Sequence, residues 1–405
     1  MYRRPNSTTP IRLLIVNSHP IQYFAPLYRE LAADEQFDVE VLYCSRHGLA
    51  GEIDQQFGQS VQWDVPLLDG YAHRFLSNQS PNPSIYSFWG LLNLSVVKAI
   101  WQAPRGVVMV YGWAYAVCWL AIVAAKLMGH QVCMRAESPL RFETSKSPFC
   151  QQLRRLVLGQ GLLRLVDYAL YIGEQNRAFY RHMGVAEQKL IFCPYAVDNA
   201  RFQRAAAERF PHRAGLRRRL GIDQTQKVLL YCGKYIPKKR PLDLLKAVAS
   251  LQRTDVAAVL VGDGPLRPAL EAFCREQQLP NVYLTGFVNQ SEIVSYYALA
   301  DVFVLCSDEA ETWGLVTNEA MNVGLPVVLS QAVGCADDLV KPGQNGYQYP
   351  CGNVPALAEA LRTLLDSSAA DWAAFRASSR SIIDQYSYAQ TIQNLQRALS
   401  QPSAT

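Results

Sequence analysis

The sequence predicts an α/β protein of two similar domains, each a mostly parallel sheet covered by helices. Three observations lead there. A chain of 405 residues is longer than one typical hydrophobic core serves. Half of its residues are apolar and 18% are charged, which is globular rather than disordered composition. Short unbroken apolar runs such as 228–232, 256–261 and 302–305 alternate with helical segments, the pattern of strands buried on both faces.

Each element follows in chain order. After Met1-Tyr-Arg-Arg-Pro5, the apolar run 13–16 is too short for the hydrophobic region of a signal peptide. Residues 11–16 read as a strand, 26–33 as a helix and 37–43 as a second strand. The stretch 45–105, rich in Pro, Gly and aromatic residues, reads as long loops. The longest apolar stretch, 107–128, contains Gly112 and Lys126 and opens on β-branched residues, so strand–loop–helix is preferred to a membrane span. Further strands are expected at 132–135 and 168–172. Between them, Arg154, Arg155 and Arg164 flank Leu153, Leu156, Val157, Leu158, Leu162 and Leu163. An amphipathic segment on an anionic bilayer fits that pattern, and so does a buried helix with a basic edge.

The basic, weakly periodic stretch 201–221 is expected to connect the domains. Five strands follow, at 228–232, 256–261, 282–284, 302–305 and 327–329. Apolar residues recur at helical spacing over 381–399. The expected division is therefore 1–200, 201–380, and a C-terminal helix within 381–405 that packs back on the first domain.

Composition narrows the function. A net charge of +5 does not by itself call for nucleic acid, and it suits an anionic ligand or an acidic membrane surface. The ten cysteines show no C-x-x-C spacing and sit mostly in apolar runs, which points to a reduced, cytoplasmic protein. The six histidines are dispersed, so no metal-ligand cluster is expected.

Ligands of open parallel sheets bind beyond the C-terminal ends of the strands. Strand 228–232 leads to Gly233, Lys234 and Lys239; strand 256–261 leads to Gly262-Asp263-Gly264-Pro265; strand 302–305 leads to Glu311-Thr312-Trp313-Gly314-Leu315 and Glu319. Lys234 and Lys239 are cations for a diphosphate, each charge-assisted hydrogen bond contributing about 1.5–3 kcal/mol. The N–H groups of Gly314 and Leu315, at a predicted helix start, add anion affinity. Glu311 and Glu319 suit vicinal hydroxyls of a sugar or ribose, and Thr312, Trp313, Asp263 and Gly264 complete the substrate-facing loops. Taken singly, the Lys238-Lys239-Arg240 run is a common solvated face and Gly262–Pro265 a common turn; their order and spacing with Glu311 and Glu319 set them apart.

On these motifs the second half resembles the nucleotide-sugar domain of family 4 (group 1) glycosyltransferases, retaining enzymes of the GT-B architecture. Gly233-Lys234…Lys239 is similar to the family's Gly-Arg-x-x-x-x-Lys, with Lys for Arg. Gly262–Pro265 is similar to its Gly-x-Gly-Pro turn, and Glu311…Glu319 with the tail Ala320-Met321-Asn322-Val323-Gly324-Leu325-Pro326 to its Glu-x7-Glu element. The match covers residues 225–350. The first half departs from the family: its first-strand loop is Asn17-Ser-His19-Pro-Ile-Gln-Tyr23 rather than Gly-Gly, and Arg135-Ala-Glu137-Ser138 stands where a histidine is usual. His19, facing the cleft or serving structure alone, and Glu137 are the candidates on that side.

The resemblance implies two Rossmann-like domains with parallel sheets facing across a cleft. It implies Lys234 and Lys239 on the diphosphate, Glu311 on the donor sugar and Glu319 on the ribose. It also implies transfer, with retention, from a nucleoside diphosphate sugar to a hydroxyl acceptor, without a metal, in polysaccharide, lipopolysaccharide or glycolipid synthesis. The acceptor is a sugar or a lipid-linked hydroxyl, with no nucleic-acid partner, and the site of action is the cytoplasm or the inner face of the plasma membrane. A nucleotide-sugar epimerase and a non-catalytic nucleotide-sugar-binding protein are the rival expectations.

Overall fold

The computed structural model describes residues 10–49, 53–54, 59–60 and 63–400; Met1-Tyr-Arg-Arg-Pro5 and residues 401–405 lie outside them. Among the described residues the chain forms two compact units. One takes residues up to 50, 66–194 and those from Tyr388 on; the other takes 51–65 and 195–387.

The strands in chain order are β1 (Ile11–Asn17), β2 (Phe37–Tyr43), β3 (Ile53–Asp54), β4 (Gln59–Ser60), β5 (Ala72–Phe75), β6 (Val107–Tyr111), β7 (Gln131–Arg135), β8 (Tyr168–Tyr171) and β9 (Leu190–Phe192). They continue as β10 (Lys227–Cys232), β11 (Val256–Val261), β12 (Val282–Gly286), β13 (Val302–Leu305), β14 (Val327–Ser330) and β15 (Gly346–Tyr349). The first unit holds a seven-stranded sheet in the order β5-β2-β1-β6-β7-β8-β9. The second holds a six-stranded sheet in the order β12-β11-β10-β13-β14-β15. Every pairing within both sheets is parallel. The two α/β domains expected from the apolar runs are therefore present.

In the first unit Leu14, Val16, Val108, Val110, Val132 and Met134 are buried in one core with Val117, Ala121 and Ile122 of helix Ala116–Leu127. The long apolar stretch 107–128 is accordingly β6, a turn and that helix. In the second unit all six residues of β11 are buried, and so are those of β13 and β14. Continuous burial removes alternation, which is why these strands read as unbroken apolar runs.

Five strands go beyond those expected from the sequence. β5 exposes Ala72, His73 and Arg74, β9 and β15 are short edge strands, and β3 with β4 forms a two-residue antiparallel pair. β5 in particular buries too little to write an apolar run. The stretch read as loops also contains the helix Ser95–Gln102, whose Val96, Ala99 and Ile100 are buried.

Two expectations along the chain are corrected. Residues 201–221 are not an open connection but the helices Asn199–Arg209 and Arg213–Leu220 of the second unit. Arg217 is buried there, donating to the Leu299 and Gln226 carbonyls and to Asp301 Oδ2 at 2.7 Å, so the basic composition that suggested a linker is partly internal. The apolar spacing over 381–399 spans a break between helix Ala369–Ile383 and helix Tyr388–Leu399. At the break, Tyr386 hydroxyl donates to Asp338 at 3.0 Å inside the second unit. Helix Tyr388–Leu399 belongs to the first unit: Tyr388 hydroxyl donates to the Tyr23 carbonyl at 2.8 Å, and Asn394 to that of Phe192 at 2.7 Å.

Candidate active site

Strand order reverses around β10 in the second unit, with β11 on one side and β13 on the other. Loops leaving adjacent strands at such a point diverge and leave a crevice at the C-terminal edge. The loop after β10 carries Gly233, Lys234 and the short helical turn Pro237–Lys239; the loop after β13 carries Ser307 and Glu311. The backbone ties them, since Asp308 N–H donates to the Lys238 carbonyl at 2.9 Å.

Across this crevice the Lys239 ammonium pairs with Glu311 Oε2, and Ser307 hydroxyl donates to the same oxygen at 3.1 Å. Both partners are largely buried, with side-chain exposures of 15% and 11%. Burial alone would raise the Glu311 carboxyl; the charge and hydrogen bond of Lys239, the charge of Lys238 and the Ser307 hydroxyl outweigh it, so the carboxyl titrates below its usual range. The result is an ionised pair at the mouth of the sheet.

The helix Leu315–Asn322 starts directly after this loop. Gly314 precedes it with φ of 96°, a left-handed conformation that a Cβ would strain, and no side chain caps the helix end. Its first N–H groups thus form the positive end of a helix dipole beside the Lys239–Glu311 pair. Thr312 is partly buried. Trp313 is buried: its indole N–H donates to Asn318 Oδ1 at 2.9 Å, and its ring stacks on Tyr195 at 6.2 Å. Four residues into the same helix, Glu319 is buried, accepting from Tyr297 hydroxyl at 2.7 Å and from Gln290 Nε2 at 3.4 Å. Arg201 in turn donates to Gln290 Oε1 at 2.7 Å, so the acid sits at the end of a relay.

The turn after β11 packs on the loop after β10. Tyr235 N–H donates to the Asp263 carbonyl at 2.8 Å, and Gly233 N–H to that of Val261 at 2.9 Å. Gly262 has φ of 143°, and a Cβ there would lie 1.9 Å from the Gly233 carbonyl oxygen. Only glycine permits that approach, which is the physical content of the Gly-x-Gly-Pro pattern. Asp263 Oδ1 accepts from Gly264 N–H at 2.8 Å, and Oδ2 pairs with Arg267 at 3.2 Å. Lys234, partly exposed on the adjoining loop, accepts Tyr231 hydroxyl on its carbonyl at 3.1 Å.

In the first unit order reverses around β1, which pairs with β2 and β6. His19 lies in the loop after β1. Its Nδ1 shares a hydrogen with Ser18 Oγ at 3.0 Å, and its ring meets His47 edge-on at 5.3 Å. Burial, then the charge of His47, push its pKa down to about 4, so it is neutral at pH 7. Glu137 follows β7 and is partly buried. Arg135 at the end of β7 is buried, donates to the Pro194 carbonyl at 3.3 Å and lies over the Phe24 ring at 5.6 Å. Among the described residues no group of three His, Cys, Asp or Glu side chains is placed to hold a metal ion.

The fold thus gathers Lys239, Glu311, Gly314 and Leu315 at one crevice of the second unit, with Glu319 on the same helix. Sequence reasoning missed Ser307, Gln290 and Tyr297. Ser307 is one polar residue in a loop, and Tyr297 reads as core in the apolar helix Ile293–Leu299; only folding puts their hydroxyls on the two carboxylates.

Comparison with known proteins adds four findings. Residues 213–385 match the family model for glycosyl transferases group 1. The chain is 34% identical over 157 residues to alpha-D-kanosaminyltransferase of Streptomyces kanamyceticus, covering 38% of this chain and 40% of that one. It is 27% identical over 264 residues to the GDP-mannose-dependent alpha-(1-6)-phosphatidylinositol monomannoside mannosyltransferase of Mycobacterium tuberculosis, covering 62% and 66%. The chain spans less than two thirds of the length of the relatives it matches. Its fold is that of HepE from Anabaena, solved with UDP and glucose, at a TM-score of 0.71 and 18% identity, covering 97% of this chain and 100% of that one.

Proposed function

We propose that the chain is a glycosyltransferase that moves a sugar from a nucleoside diphosphate sugar to a hydroxyl acceptor, with the anomeric configuration retained as in family 4 enzymes. The observation that carries the proposal is the ionised Lys239–Glu311 pair beside the uncapped start of helix Leu315–Asn322. That arrangement offers cations and N–H groups to a diphosphate and a carboxylate to sugar hydroxyls, and the matching family and relatives are sugar transferases.

When the bond from the anomeric carbon to the phosphate oxygen breaks, the diphosphate leaves with the electron pair, an acceptor hydroxyl oxygen takes its place, and the hydroxyl proton passes to the departing diphosphate. Lys239, Lys234 and the N–H groups of Gly314 and Leu315 stabilise the charge that develops on the leaving group, so no metal is called for. Glu311 accepts from the donor sugar, and Glu319, held by Tyr297 and Gln290, from the ribose. Thr312, Trp313, Asp263 and Gly264 shape the loops around them. We assign Glu137 and His19 to the acceptor, and His19 is neutral at pH 7. We place the enzyme in the cytoplasm or at the inner face of the plasma membrane, and its product in polysaccharide, lipopolysaccharide or glycolipid synthesis. Among the described residues no helix is long and apolar enough to cross a membrane.

The test is a panel of nucleotide sugars with nucleoside diphosphate release as the readout, with and without mixed acceptors. Acceptor-dependent release is the expected outcome. Conversion of the donor without any acceptor would identify an epimerase instead, and tight donor binding with no release under every acceptor would identify a binding protein.

A further inference from the structure

The helix Pro148–Arg154 runs on into a π-helical turn, Arg155–Gly161, and a short turn, Leu162–Leu165. Its inner side is fixed in the first unit's core: Leu158, Leu162 and Leu163 are buried, and Gly159 sits so close to Met183 that an added Cβ would be 2.4 Å from the Met183 carbonyl oxygen. Anchoring that side turns the next residues outward. Phe149 is 75% exposed, Leu156 is 56% exposed, and Leu153 and Val157 are exposed with them. Four large apolar side chains along one short run form a patch that water alone does not favour.

The neighbouring cations divide into two kinds. Lys146 and Arg154 are held by the buried Glu143, each at 3.0 Å, and are structural. Arg155 and Arg164 are exposed and, among the described residues, enter no ion pair. With Lys189, whose Nζ donates to the Val166 carbonyl at 2.8 Å, they line a cavity of about 430 Å³ beside the apolar run. The surrounding sequence is just as one-sided. Residues 70–166 contain ten Lys and Arg against two Glu, a net of +8 where the whole chain carries +5, and one of those two acids is the buried Glu143.

We infer that this surface docks the protein on an anionic phospholipid bilayer, with Phe149, Leu153, Leu156 and Val157 entering the acyl boundary and a headgroup phosphate held by Arg155, Arg164 and Lys189. An apolar strip rimmed by cations matches that interface, because the strip gains from leaving water while the cations stay at the level of the phosphates. An acidic protein partner would leave the apolar strip to be covered by its own apolar groups, for which no charge pattern here selects. The inference deepens the sugar-transfer proposal, which leaves the acceptor open, by placing the enzyme where lipid-borne hydroxyls are concentrated.

The experiment is sedimentation of the full chain with vesicles of phosphatidylglycerol and phosphatidylcholine, and with phosphatidylcholine alone, at low salt and at about 0.5 M salt. Wild type should pellet with the anionic vesicles and stay in solution with the neutral ones. Leu156→Glu/Val157→Glu should weaken binding by at least ~10-fold at either salt, and Arg155→Glu/Arg164→Glu should abolish the preference for anionic lipid. Circular dichroism and donor binding matching wild type would show that both variants are folded. A wild type that ignores anionic vesicles, variants that pellet like wild type, or a discrete dimer dispersed by the same substitutions would each overturn the inference. Pelleting needs no sugar transfer, so either proposal can fail while the other stands.

Discussion

Replacing Lys239 by Met leaves Glu311 with only Ser307 as a hydroxyl donor in a site where the two side chains are 15% and 11% exposed. Removing one member of a buried pair costs about 3–5 kcal/mol, because the remaining charge stays desolvated. The residual exposure favours the low end, so Lys239→Met should lose about 3 kcal/mol at pH 8, or roughly 1.5 M in urea midpoint at a slope near 2 kcal/mol/M. The loss should shrink with acid. In the wild type the depressed Glu311 carboxyl contributes stability above the unfolded pKa, and this is lost as pH falls through the folded pKa. In the variant burial pushes the carboxyl up, so protonation relieves the penalty instead. Lys239→Met/Glu311→Gln removes both charges and should return to within about 1 kcal/mol of wild type. Nucleoside diphosphate release separates structure from chemistry: losing one charge-assisted contact of about 1.5–3 kcal/mol lowers kcat/KM by about 10- to 150-fold in Lys239→Met, and the double variant, which also loses the Glu311 charge that faces the donor sugar, should be no more active than the single one. Urea titrations at two pH values and initial rates on the same samples measure both. If the double variant regains turnover along with stability, Lys239 serves only to neutralise Glu311 and its diphosphate role is refuted.

Two further perturbations test other parts of the structure. Gly262→Ala puts a Cβ 1.9 Å from a backbone oxygen at φ of 143°, so it should destabilise the second unit by about 2–4 kcal/mol; a change under about 0.5 kcal/mol in urea would show that the β10 and β11 loops part freely. His19, lowered to about 4 against an unfolded value near 6.5, binds fewer protons folded than unfolded, so it lowers stability as pH falls from 6.5 towards 4. Between pH 7.5 and 5 this amounts to about 2 kcal/mol; His19→Gln should remove that part of the pH dependence, and an unchanged slope would mean the ring is solvated.

Burial periodicity is local, so the two α/β domains and their central strands are legible in the sequence: β10, β11, β13 and β14 are buried on both faces and read as apolar runs. Spacing also determined the Gly262–Pro265 turn and the helix start after Gly314, because each depends on a backbone conformation that few residues accept. Edge strands such as β5 and the helices within 199–220 were not legible, since their stability comes from what they pack against. The same holds for the site. Sequence supplied the charges, but folding brings Lys239 to Glu311, sets Tyr297 and Gln290 on Glu319, and ties Arg154 to Glu143 while Arg155, among the described residues, enters no ion pair. Such pairings depend on distances of a few ångströms between residues tens of positions apart, and one chain's order of residues carries no record of them.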